Sequence, residues 1–87
     1  MKNERLLSEL INLSEQLGLE IREEKGDFNG GLCRIRNDNF IFLNRRHNLE
    51  KKIQVLAEAL AAQPLEGRFL LPAVRDTLEK YGNGLNK

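Results

Sequence analysis

The run Phe40-Ile41-Phe42-Leu43 constrains this chain more than any other stretch. In an extended strand successive side chains point to opposite faces, so Phe40 and Phe42 share one face and Ile41 and Leu43 the other. A single layer of helices covers only one side of a sheet. The second side then needs a cover of its own, which we expect the C-terminal segment or another subunit to provide. At 87 residues the chain makes one small domain, 1–87. A domain of this size buries only about 60–65% of the surface its unfolded chain exposes, which leaves little room for a spacious internal cavity.

The elements around that strand follow from periodicity. Leu6, Leu10, Leu13 and Leu17 recur at helical spacing, which predicts an amphipathic helix over about 3–17 ended by Gly18. Leu19 and Ile21 then alternate with Glu20 and Arg22, the pattern of a half-buried strand. After the Gly26-Asp27-Phe28-Asn29-Gly30-Gly31 punctuation, Cys33 and Ile35 alternate with Arg34 and Arg36, and Asn37-Asp38-Asn39 reads as a tight turn into the apolar strand. These three strands are expected to form an antiparallel meander. Asn48 is placed to cap a second helix running to about Gln63, with Leu49, Ile53, Leu56, Ala57 and Leu60 as its buried stripe and Pro64 as its stop. Pro72 suits the first turn of a short third helix, with Val74, Leu78 and Tyr81 inward and Gly82 as terminator. Residues 83–87 read as a frayed tail. The order α-β-β-β-α-α predicts a two-layer α+β domain.

Charge is unevenly distributed although the net charge is only +1. Residues 1–27 carry four basic and seven acidic side chains, whereas Arg34 to Lys52 carries six basic and two acidic. Such asymmetry suits self-association or a phosphate-bearing ligand, but falls short of the strongly basic surface of a committed nucleic-acid binder. One cysteine, Cys33, excludes an internal disulfide framework and a multi-cysteine zinc site. The first eighteen residues contain no uninterrupted apolar region. Neither a signal peptide nor a membrane span is expected there, and the cytoplasm is the expected location.

The run GGLCRIRNDNFIFLNRR followed by LAEALA resembles a group of small bacterial proteins with a Gly-Gly-Leu-Cys-Arg strand, an apolar strand ending in Leu-Asn-Arg-Arg and a Leu-Ala-x-Ala-Leu helix, over about Lys25 to Tyr81. More distantly, the element order is similar to the minimal core of the ImmA/IrrE-type zinc metallopeptidases, in which a strand ending in Asn leads to a helix bearing His-Glu-x-x-His. That likeness sets Ala57 and Ala61 where the two histidines would stand and Glu58 where the general base would stand. Methyl groups cannot coordinate zinc, and a lone Glu has no metal-bound water to activate. The likeness thus implies a scaffold without its reactive centre. Plain packing also accounts for Ala57 and Ala61, since small side chains let another helix or sheet approach closely.

Three further places carry side chains capable of chemistry. Alternation puts Cys33 with Ile35 on an apolar face, so a buried structural thiol is expected rather than a nucleophile. His47, the sole histidine, reads as a pre-helix loop residue with no cluster of ligands around it. Arg34, Arg36, Arg45 and Arg46 would form an anion-binding patch if they line one face of the hairpin and its exit. Phe28 and Phe42 would then add stacking surfaces for single-stranded nucleic acid. Alternatively these arginines pair with Glu20, Glu23 or Glu24 of the neighbouring strand.

The leading expectation is a non-catalytic interaction module without cofactor or metal, binding itself as a homodimer or binding another protein. Its candidate interface residues are Phe40, Ile41, Phe42, Leu43, Ala57 and Ala61. Phosphate or nucleic-acid binding through the four arginines is the alternative, and hydrolase chemistry at Cys33 or an unrecognised metal site ranks last.

Overall fold

The computed structural model of the chain describes residues 1–82. Three helices and a three-stranded sheet follow one another as α1 (Asn3–Gln16), β1 (Glu20–Glu24), β2 (Gly31–Ile35), β3 (Asp38–Asn44), α2 (Leu49–Ala61) and α3 (Pro72–Gly82). The expected tail at 83–87 lies outside the described residues.

The sheet is not the antiparallel meander that sequence order suggests. Its strand order is β1-β3-β2, with β1 parallel to β3 and only β2 antiparallel to it. A meander would have set β2, with its single charge and no bulky aromatic, in the middle and left Phe40-Ile41-Phe42-Leu43 on an edge. Placing β3 in the centre gives the most apolar strand a hydrogen-bonded neighbour on each side. Its two neighbours are then the strands whose side chains tolerate water: β1 is exposed at four of five positions, and β2 likewise.

All three helices lie on one side of this sheet. Ile41 and Leu43 are completely buried there, in a cluster that includes Leu10, Leu13, Leu56, Leu60, Val74 and Leu78. Helix α2 is the middle of the helical layer, with α1 and α3 both packed against it. Small residues set the spacing. Ala57 is fully buried, and a methyl added at Gly82 would stand 2.6 Å from the Cβ of Ala61, so α3 meets α2 where neither carries a bulky side chain. The expected cap of α2 is present, Asn48 Oδ1 accepting a 2.9 Å hydrogen bond from the Lys51 backbone N–H. Gly18, at φ 81°, follows the last residues of α1 as expected. Among the described residues no helix is long and apolar enough to cross a membrane.

The hairpin between β2 and β3 turns on Arg36 and Asn37, one residue earlier than the Asn-rich run suggests. Arg36 sits at φ 57°, a left-handed conformation that a side chain with a Cβ adopts at some cost. Its side chain is exposed, so nothing else is lost with it. Arg36→Gly should therefore raise stability by up to about 1 kcal/mol, read as a higher urea midpoint at unchanged slope. A fall in the midpoint would show that Arg36 makes a contact that offsets its backbone strain.

Candidate functional site

The loop from Lys25 to Gly30 has to travel from the end of β1, over the end of β3, to the start of β2. A single side chain at the end of β3 holds it there. Asn44 is 3% exposed, and its Nδ2 donates to the carbonyl oxygens of Gly26 (2.7 Å) and Phe28 (2.8 Å), while its Oδ1 accepts from the Arg46 N–H at 3.0 Å. Both oxygens belong to a loop that has no sheet ladder of its own, so the amide satisfies groups that would otherwise lose water for nothing. At the far end of the loop Gly30 lies against the β3 backbone at φ 82°, where a Cβ would collide with the Phe42 carbonyl oxygen. Glycine is required there for both reasons.

The crossover brings Phe28 onto the side of the sheet that the helices do not cover. Register puts Cys33 beside Phe40 and Gly31 beside Phe42, with Arg22 on the other flank of Phe42. Paired positions share a face, so this open side carries Glu20, Arg22, Phe40, Phe42, Cys33 and Ile35. The chain covers one part of it with its own side chains. Arg22 lies 4.7 Å above the Phe40 ring and is held by Glu20 at 2.6 Å, and Phe40 is 8% exposed as a result. Nearer β2 the cover stops. Phe28, Phe42, Cys33, Leu32, Gly30, Gly31 and Glu24 line a hollow of about 500 Å³ that is apolar over most of its wall.

The thiol of Cys33 is therefore exposed and not the buried structural group its alternation with Arg34 suggests. The alternation itself is correct. What differs is the face: Cys33 and Ile35 look away from the helices, and Ile35 stays 47% exposed. Leu32, on the helix side but at the sheet edge, is 46% exposed. Two more large apolar groups are exposed away from the sheet: Met1 at the N-terminus, and Phe69, which belongs to the α2–α3 connection and contributes to a groove against α1.

The other candidate residues separate. Ile41, Leu43 and Ala57 are fully buried inside the domain and present no surface, and Ala61 is occupied by α3. Glu58 sits half-buried on α2 and accepts a 2.9 Å hydrogen bond from Gln54 Nε2. The four arginines fall into two pairs. Arg34 and Arg36 belong to the hairpin tip, while Arg45 and Arg46 follow the opposite end of the seven-residue β3, roughly 20 Å away at about 3.3 Å per residue. Arg45 lies 4.0 Å from Glu23 and Arg46 3.8 Å from Asp27, exposed pairs of small energetic weight. His47 is half-buried near the Asn44 loop, and its Nδ1 has no hydrogen-bond partner among the described residues. Among the described residues, no three His, Cys, Asp or Glu side chains group closely enough to hold a metal ion.

Because the crossover rests on an amide that both donates and accepts, Asn44→Asp should be more harmful than its size suggests. It replaces two donated hydrogen bonds with a carboxylate facing two carbonyl oxygens, at a cost of about 3 kcal/mol or more. Chemical denaturation would read the loss, and Asn44→Gln, which keeps the amide but misplaces it, should recover only part of it. An Asn44→Asp chain as stable as the parent would refute this role. Comparison of the chain with family models, with curated proteins and with solved structures returns no match.

Proposed function

We propose that this protein is a non-catalytic protein–protein interaction module that associates with itself, and that it does so through the β2 side of the uncovered sheet face. One observation carries the reading. Phe28, Phe42 and Cys33 line an apolar hollow of about 500 Å³ on a face that no helix of the described residues covers, and Ile35 stays exposed further along β2. Contiguous apolar surface on a small domain costs solubility unless something binds it, and shallow faces of this kind suit a protein surface better than a small molecule.

The likeness to the zinc-peptidase core agrees with a scaffold put to binding. The two positions that would carry histidines are used here to pack α2 inside the domain, one in the core and one under α3. The alternative of an anion-binding patch gains no support from the geometry, because the strand length keeps its two arginine pairs apart.

Sedimentation or light scattering over a wide concentration range tests the proposal. The average mass should climb from 10.0 kDa towards twice that value as concentration rises. Ile35→Lys on β2, checked by circular dichroism for an intact fold, should weaken association by about tenfold, the equivalent of removing one apolar side chain from the contact. A chain that stays monomeric at every concentration and brings no partner through purification would end the proposal.

A further inference from the structure

The two edges of the sheet are unlike. Along β1 four of five residues are charged (Glu20, Arg22, Glu23, Glu24), whereas β2 has one charge, Arg34, among Gly31, Leu32, Cys33 and Ile35. Charged side chains are the usual protection of an edge strand against pairing with another chain. Edge β1 has that protection and β2 does not.

Self-pairing makes the contrast sharper. If β1 met a second copy antiparallel about its midpoint, Glu20 would face Glu24 of the second copy, twice over, and like charges directly opposite repel. The same operation on β2 is centred on Cys33. It sets Leu32 against Arg34 of the second copy and Gly31 against Ile35 of the second copy, with no like charges opposed.

The backbone fits the same centre. The two-residue turn closes on the Ile35–Asp38 pair. In an antiparallel ladder hydrogen-bonded and non-hydrogen-bonded pairs alternate, so Ile35, Cys33 and Gly31 direct their N–H and C=O groups to β3. Leu32 and Arg34 direct theirs outward. Those are the two residues that would exchange hydrogen bonds in a pairing centred on Cys33. On the α2 side of this edge a hollow of about 340 Å³ is lined by Leu32, Lys51, Val55, Glu58 and Ala59, among others. Arg34 of a second copy, entering beside Leu32, would find the Glu58 carboxylate there.

We infer that two copies of this chain pair antiparallel along β2, with the twofold axis at Cys33, to form one continuous six-stranded sheet. The inference rests on the self-association proposed above and specifies its contact. A five-residue edge is short, so the dimer is weak and reversible. At the axis the two Cys33 residues form a non-hydrogen-bonded pair with Cα atoms about 4.5 Å apart, within the span a disulfide bridges.

The test uses the full chain and three readouts. Diamide, which accepts the two electrons and two protons released as the thiols join, should convert the protein to a Cys33–Cys33 dimer. Leu32→Lys, which opposes Arg34 of the second copy with a like charge, should weaken association and slow cross-linking by about tenfold, while Leu32→Glu should match or exceed the parent. Without any substitution, raising the concentration should slow amide exchange at Leu32 and Arg34 and leave Cys33 unchanged, because its N–H already faces β3. A dimer seen by light scattering in which Cys33 does not cross-link, or in which both Leu32 variants behave alike, overturns the β2 contact and leaves self-association standing. A strictly monomeric chain overturns both.

Discussion

Much of this molecule depends on where one amide side chain points. Asn44 ends the central strand, and from there it donates to two carbonyl oxygens of the loop that carries the chain over the sheet. That anchoring allows a six-residue connection to skip a strand position. With the loop fixed, β1 and β2 become neighbours of β3 and not of each other, and the strand that is apolar on both faces takes the middle place. The core then follows by burial: Ile41 and Leu43 meet the helices, and the helices meet one another across small residues at Ala57, Ala61 and Gly82.

The same topology decides what the protein has to offer at its surface. A central β3 leaves β1 and β2 as edges, and the sequence treats them differently. Charge covers β1, and Arg22 with Glu20 folds back to shield Phe40. On the β2 side, Leu32, Cys33 and Ile35 remain in water, beside an apolar hollow that the crossover loop completes by delivering Phe28. The binding reading follows from this one-sided protection.

Helix content and the two-layer arrangement were legible because they depend on local pattern: leucines at helical spacing in α1, the Asn48 cap of α2, Pro72 opening α3. The turn position was misread by one residue because Asn37 and Asn39 are common turn formers, whereas the actual turn uses Arg36 at positive φ, a choice that propensity does not foresee. Strand order was misread for a different reason. Consecutive strands were paired in sequence, although the six residues between β1 and β2 exceed what a tight hairpin needs and Phe40-Ile41-Phe42-Leu43 already marked β3 as the interior strand. That pattern calls for cover on both faces. Among the described residues the C-terminal helix lies with the other helices and leaves the second face open. Burial of Cys33 was misassigned because alternation tells which residues share a face and not which face the core occupies. The arginine patch rested on proximity in sequence, which a fully extended seven-residue strand removes.

The central position of β3 is the claim on which the edge, the open face and the proposed contact all stand. Nuclear Overhauser contacts between backbone protons of the sheet report it directly. A central β3 gives contacts from Ile21 and Glu23 of β1 to the Ile41–Leu43 stretch of β3 in parallel register, contacts from Cys33 to Phe40, and none between β1 and β2. Antiparallel contacts linking β1 to β2, with β3 on an edge, would contradict it.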